Sequence, residues 1–245
     1  VARLTKPAPV APSRWERLGN RLTEWLYPRL CPITQLPLRP TEWALSEVGL
    51  LSLPQTPHFA SPAANGLTAQ LAGLPHLAGA AALWPFEDDP RIRTLIHRLK
   101  YDDRPAVGRR IGAFMAEVLI QRQAEPILAA DAVVPVPLHP KKLRERGYNQ
   151  AAAFGEGLAN GLGIPLVAKA LRRRRYTTSQ TGLSREARQQ NVAQAFEIGS
   201  SVPAHILLVD DVATTGATLI SAAEVLVDAG VEQISVATMA QAGGG

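Results

Sequence analysis

The segment that most constrains this chain is Ile206-Leu207-Leu208-Val209-Asp210-Asp211-Val212-Ala213-Thr214-Thr215-Gly216-Ala217-Thr218-Leu219. Four consecutive apolar residues suit a strand buried on both faces of a parallel sheet. Two carboxylates then stand at the C-terminal end of that strand, and a run of small and hydroxyl residues opens a helix. In open α/β sheets ligands bind at that place, outside the carboxyl ends of the strands. Small side chains from Ala213 to Thr218 let backbone N–H groups come close to a phosphate. Thr214, Thr215 and Thr218 add hydroxyls, and the helix start adds the positive end of its dipole. Asp210 and Asp211 would repel a phosphate, but they suit the hydroxyls of an adjoining sugar or a hydrated Mg²⁺. The patterns G-x-x-x-x-G-K-[ST] and G-x-G-x-x-G are absent from this loop, so it is neither a Walker A loop nor a dinucleotide fingerprint. The bland alternative is a β–α turn with a polar cap and no ligand.

The rest of the chain supports a sheet around that strand. Of the 245 residues, 46% are apolar and 19% charged; a disordered chain would carry more charge and less apolar content, so a packed core is expected. From about Asp88 onward, strand and helix patterns alternate. Ile92, Leu95, Ile96 and Leu99 give one helical face, and Val107, Ile111, Phe114, Met115, Val118 and Leu119 predict a second helix over 106–122. Asp131–Pro137 reads as a buried strand, Tyr148–Leu162 as an Ala-rich helix, and Ile164–Ala168 and Ala193–Ile198 as further strands. After the strand His205–Asp211, a helix is predicted over Thr214–Ala229 with Leu219, Ala222, Ala223 and Leu226 inward and Gly230 as its stop. Gln233–Met239 closes as a strand. The alternation implies a parallel sheet with helices on both faces.

Residues 1–87 read differently. They are proline-rich, with one helical pattern at Arg14–Leu26, and are expected to form a small irregular N-terminal module, leaving 88–245 as the α/β domain. The single cysteine, Cys31, rules out an internal disulfide or a multi-cysteine zinc site within the chain, and a buried, inert thiol is expected there. Val1–Pro12 has no apolar core of a signal peptide, and no stretch approaches the roughly 20 apolar residues of a membrane span. A cytoplasmic protein without membrane insertion is expected.

Charge is unevenly spread. Lys141–Gln190 holds 11 Lys/Arg against 3 Asp/Glu, a net of +8 within a chain at +5; such an excess suits a phosphate, a pyrophosphate or a nucleic acid. Its first part, Leu138-His139-Pro140-Lys141-Lys142-Leu143-Arg144-Glu145-Arg146-Gly147, follows a buried strand. Lys141, Lys142, Arg144 and Arg146 suit a pyrophosphate, or else the solvated start of a basic helix. His139 is expected to be structural, and Tyr148 either stacks on a base or packs. Its second part, Arg172–Gln190, lacks apolar periodicity. It reads as an exposed, mobile segment, serving as a lid over an anionic substrate or as a basic nucleic-acid patch.

Together these motifs resemble one family, the ComF/GntX group of phosphoribosyltransferase-like proteins associated with DNA uptake and competence. The resemblance runs from about Arg91 to Met239. It rests on Lys100-Tyr101, on P-V-P-L-H with R-x-R-G-Y-N-Q, on Arg175, Thr177, Gln180, Leu183, Arg188 and Asn191 in their spacing, and on D-D-V-x-T-T-G-x-T. It implies a type I phosphoribosyltransferase-like α/β fold that binds phosphoribosyl pyrophosphate (PRPP). The 5-phosphate would lie on Ala213, Thr214, Thr215, Gly216, Ala217 and Thr218. Asp210 and Asp211 would hold the ribose hydroxyls, directly or through water on Mg²⁺, the one cofactor implied. Pyrophosphate would meet Leu138, His139, Lys141, Arg144 and Arg146, and Arg175, Gln180, Arg185 and Arg188 would belong to the lid. Three activities are compatible with this reading: phosphoribosyl transfer to a base or amine, non-catalytic sensing of PRPP or a nucleotide, and binding of single-stranded DNA through the basic segment. The apolar N-terminal region also admits a homodimer. Members of the group commonly carry a zinc module of paired CxxC motifs. Here Cys31 has Thr34 in its partner position, so no zinc is expected.

Overall fold

The computed structural model describes residues 28–102, 104–173 and 195–243. The predicted helix at Arg14–Leu26 and the lid residues Arg175, Gln180, Arg185 and Arg188 lie outside these residues.

A tight turn opens the described chain, closed by an antiparallel bridge between Leu30 and Pro37. Short helices α1 (Glu47–Leu51) and α2 (Gly66–Gln70) follow. Strand β1 (Leu77–Pro85) leads into α3 (Pro90–Tyr101) and α4 (Pro105–Gln121), and then into β2 (Ala132–Pro135). Next come α5 (Pro140–Arg146) and α6 (Gln150–Leu162), then the short strands β3 (Leu171–Arg173) and β4 (Phe196–Ile198). β5 (His205–Ala213), α7 (Ala217–Asp228) and β6 (Gln233–Gln241) complete the order. The main sheet is parallel throughout, in the order β1-β6-β5-β2. β3 and β4 form a separate antiparallel pair.

The sheet separates two cores because successive strand residues face opposite sides. On β5, Leu207 and Val209 join the core shared by α3, α4 and α6, whereas Ile206 and Leu208 join the one under α7. Every residue predicted for the inner faces of α3, α4 and α7 is buried. α4 and α6 approach backbone to backbone. A Cβ at Gly112 would overlap the Phe154 carbonyl, and one at Gly157 would overlap that of Arg109.

Several expectations need correction. A boundary at 87/88 does not divide two bodies: β1 is an edge strand of the main sheet, and Cys31, Leu45, Leu50 and Phe59 share one core with Leu83, Ile92 and Phe154. α2, in a stretch read as loop, supplies Leu67 to the other core. Ile164–Ala168 is no strand. It makes a single bridge at Leu166 beside Val133, with Val133 N–H donating to Pro165 O (2.9 Å) and Val167 N–H to Val133 O (2.8 Å). Residues 196–198 form a strand as expected, but outside the main sheet, paired with a strand that begins where a mobile segment was predicted. The residues from Lys141 to Arg146 are helical, started by Pro140 and stopped by Gly147 in the left-handed region (φ 77°).

Candidate functional site

Asp210 and Asp211 lie toward the C-terminal end of β5, followed in the strand by Val212 and Ala213. Asp211 N–H donates to Asp210 Oδ1 and Val212 N–H to Asp211 Oδ1, both at 2.8 Å. Burial first, and the adjoining Asp211 carboxylate second, push the Asp210 carboxyl up to about 8. Near neutral pH Asp210 therefore largely keeps its proton, and a cation bound at the pair must displace it.

Beyond them the chain does not enter the helix at Thr214 as predicted; α7 begins at Ala217, and Thr214–Gly216 form a loop. Gly216, the N-cap, sits at φ 76° and offers no side chain to cap the helix; the Ala217 N–H donates instead to Thr215 Oγ1 at 3.4 Å. A small concavity of about 20 Å³ is lined there by Asp210 and by the residues from Val212 to Leu219. The loop is braced from behind: Gln70 Nε2 donates to Thr214 O and, at 3.4 Å, to Ala242 O, while Gln241 Nε2 donates to Gln70 Oε1 at 2.7 Å. Neither glutamine was predicted, because Gln70 lies in a segment whose local pattern reads as loop.

Cations reach the acidic pair from separate parts of the chain. Lys100 Nζ, at the end of α3, lies 3.2 Å from Asp211 Oδ2. Lys142, half-buried on α5, is pushed down by burial and then by the charges of Arg146, Arg173 and Lys100, with Asp211 opposing. Arg173 of β3 is pushed down by burial, with Asp210 opposing, and its guanidinium stands 5.2 Å from the Phe196 ring centroid. Of the basic residues expected at a pyrophosphate, Arg146 is half-buried and donates to Gln150 Oε1 at 3.0 Å, whereas Lys141 and Arg144 are exposed. Leu138 and His139 are half-buried at the turn into α5. His139 caps α5, its Nδ1 accepting from Lys141 N–H at 3.1 Å. The Tyr148 hydroxyl donates to Leu99 O at 2.5 Å.

The zinc module implied by the resemblance does not fit this chain. Cys31 Sγ accepts from Ser46 Oγ (3.2 Å) and Ser46 N–H (3.4 Å). A Cβ at Gly49 would lie 3.1 Å from the same sulfur. Thr34 Oγ1 accepts from Leu36 N–H. Hydroxyls and a glycine therefore gather around the one thiol. Among the described residues no group of three or more His, Cys, Asp or Glu could hold a metal. Cys31 is fully buried. Its thiol nevertheless lies below the ordinary range: burial raises it, but hydrogen bonds from Ser46, Thr34 and Ile33 together lower it further. The expectation of an inert thiol omitted that network.

Fold and site together define a phosphoribosyltransferase-like α/β protein, and comparison with known proteins agrees. A family model described as a phosphoribosyl transferase domain matches residues 149–245. Competence protein F of Haemophilus influenzae is 33% identical over 153 residues, covering 60% of this chain and 67% of that protein. DNA utilization protein YhgH of Salmonella typhimurium is 29% identical over 216 residues, covering 85% and 95% respectively. The solved glutamine PRPP amidotransferase from B. subtilis, complexed with ADP and GMP, is 22% identical with a TM-score of 0.40, covering 59% of this chain and 30% of that one. The chain belongs to the ComF family of phosphoribosyltransferase-like proteins. No helix among the described residues is long and apolar enough to cross a membrane.

Proposed function

We propose that this protein binds PRPP at the C-terminal edge of its sheet and transfers the phosphoribosyl group to a base or amine, in the DNA-uptake context that its relatives' names indicate. The observation that carries the reading is the meeting, at one end of β5, of an acidic pair, an uncapped glycine loop and cations from three separated segments. The 5-phosphate is assigned to Ala213–Thr218, where helix N–H groups and threonine hydroxyls supply donors. The ribose hydroxyls are assigned to Asp210 and Asp211, which accept from them. The pyrophosphate is assigned to the cationic side formed by Lys100, Lys142, Arg146 and Arg173, with the loop from Leu138 beside it.

Mg²⁺ fits this donor set. Two carboxylates make a partial hard-oxygen site, and such ions commonly take their remaining ligands from water and substrate phosphates. When bound it would neutralise pyrophosphate charge. The chain's own residues hold the sugar and accommodate the charge that develops on the leaving group. An acceptor nitrogen donates its lone pair to the anomeric carbon, the C–O bond to pyrophosphate breaks with its electron pair, and the nitrogen's proton passes to solvent. No side-chain nucleophile is required.

The test is release of pyrophosphate from PRPP across a panel of bases and amines. Acceptor-dependent release, abolished by Asp210→Asn/Asp211→Asn, is expected. PRPP binding with no turnover on any acceptor would leave a sensor instead of an enzyme.

A further inference from the structure

Lys100 is far in sequence from the acidic pair, yet the end of α3 that carries it is held by hydrogen bonds from Tyr148 and from Gln150 of α6. It sits in the last turn of α3, where backbone carbonyls lack partners four residues on. The carbonyl of the preceding residue, Leu99, accepts the Tyr148 hydroxyl at 2.5 Å and Gln150 Nε2 at 3.2 Å. Gln150 is 1% exposed, and its Oε1 is taken by Arg146 at 3.0 Å. A continuous polar chain therefore runs from Arg146 through Gln150 to the end of α3, and from Lys100 to Asp211 at 3.2 Å. The Lys100 and Asp211 side chains are 27% and 19% exposed, so the pair is open enough to part. The charges of Arg146, Arg173 and Lys100 all bear on Lys142, with Asp211 opposing them, so these cations share one region beside the acidic pair. Like charges at close range favour an arriving polyanion.

We propose that Lys100 is a tethered cation that occupies Asp211 in the free protein and exchanges that carboxylate for the pyrophosphate of the incoming donor. The acidic pair is thus closed to a divalent cation until the polyphosphate arrives. This rests on the PRPP reading above. Lys100 acts as a pyrophosphate-binding residue, and the hydrogen bonds of Tyr148 and Gln150 to Leu99 O fix the helix end that carries it. The device couples two binding events: free metal meets a site already holding an ammonium, whereas metal arriving with a polyphosphate finds that ammonium drawn away.

The experiment measures Mn²⁺ binding alone, by electron paramagnetic resonance, and Mg²⁺–PRPP binding by calorimetry. The proteins are the full chain and its Lys100→Met and Lys100→Arg variants. For Lys100→Met, Mn²⁺ affinity is expected to rise about fivefold, the scale of a partly exposed ion pair, while affinity for Mg²⁺–PRPP falls. Lys100→Arg is expected to keep both near the parent values. Changes of opposite sign are not what lost structural support would produce. Unchanged or weaker Mn²⁺ binding in Lys100→Met, with PRPP still bound by the parent, would overturn the exchange alone. Absence of PRPP binding in the parent itself would overturn both the exchange and the reading beneath it.

Discussion

Asp210 carries the sharpest consequence at the scale of a single residue. Its carboxyl lies at about 8 in the folded protein because burial and Asp211 disfavour the charged form. A carboxyl raised above its ordinary value contributes stability that is fully present below about pH 4 and lost as pH rises through about 8. In the absence of divalent cation, unfolding by urea at pH 5 and pH 8 should show the parent losing stability at the higher pH. Asp210→Asn should lose less over the same interval; an identical pH dependence in the two proteins would contradict this. The acidic pair and its loop were legible in the sequence because their chemistry is local, carried by the contiguous run from Asp210 to Thr218. The role of Lys100 was not, since nothing near position 100 reports that Asp211 lies beside it. Arg173 likewise looked like the start of a solvated run, but its guanidinium lies over the Phe196 ring.

At the scale of elements, the close passage of α4 over α6 makes a prediction in which two effects compete. Gly157→Ala gains about 1 kcal/mol of helix propensity. Against this, the new Cβ would overlap the Arg109 carbonyl, and overpacking of that kind costs about 1–3 kcal/mol. Backbone atoms cannot swing aside as a side-chain tip does, so the clash should win, and urea unfolding should show net destabilisation. A variant more stable than the parent would mean that the helices separate freely. The long helices were legible because Ile92, Leu95, Ile96 and Leu99, and their counterparts in α4 and α7, repeat with the helical period. β1 was not. Its sequence, Leu77-Ala78-Gly79-Ala80-Ala81-Ala82-Leu83-Trp84-Pro85, has no β-branched residue and no alternation, so burial between helices and β6 makes the strand, not intrinsic preference. β3 and β4 have three residues each, too few for any period to show.

For the whole molecule, residues 28–87 are part of the body that presents the site. β1 extends the sheet, and Gln70 of α2 braces the loop at Thr214. A fragment beginning at residue 88 would lose the edge strand and the buried Leu83 and Trp84. It should show no cooperative thermal unfolding, whereas a sharp transition would restore the boundary suggested by composition. The proline-rich composition of residues 28–87 hid their membership in the core, because prolines and short helices carry no periodic signal even where residues such as Leu45, Leu50, Phe59 and Leu67 are buried. The account's central claim is that the end of β5 is a PRPP site that works with divalent cation. The most direct measurement is isothermal titration of PRPP, with and without Mg²⁺, into the parent and Asp210→Asn/Asp211→Asn. The account predicts Mg²⁺-dependent binding to the parent and none to the double variant. Binding that survives undiminished in the double variant, or no binding to the parent under either condition, would contradict it.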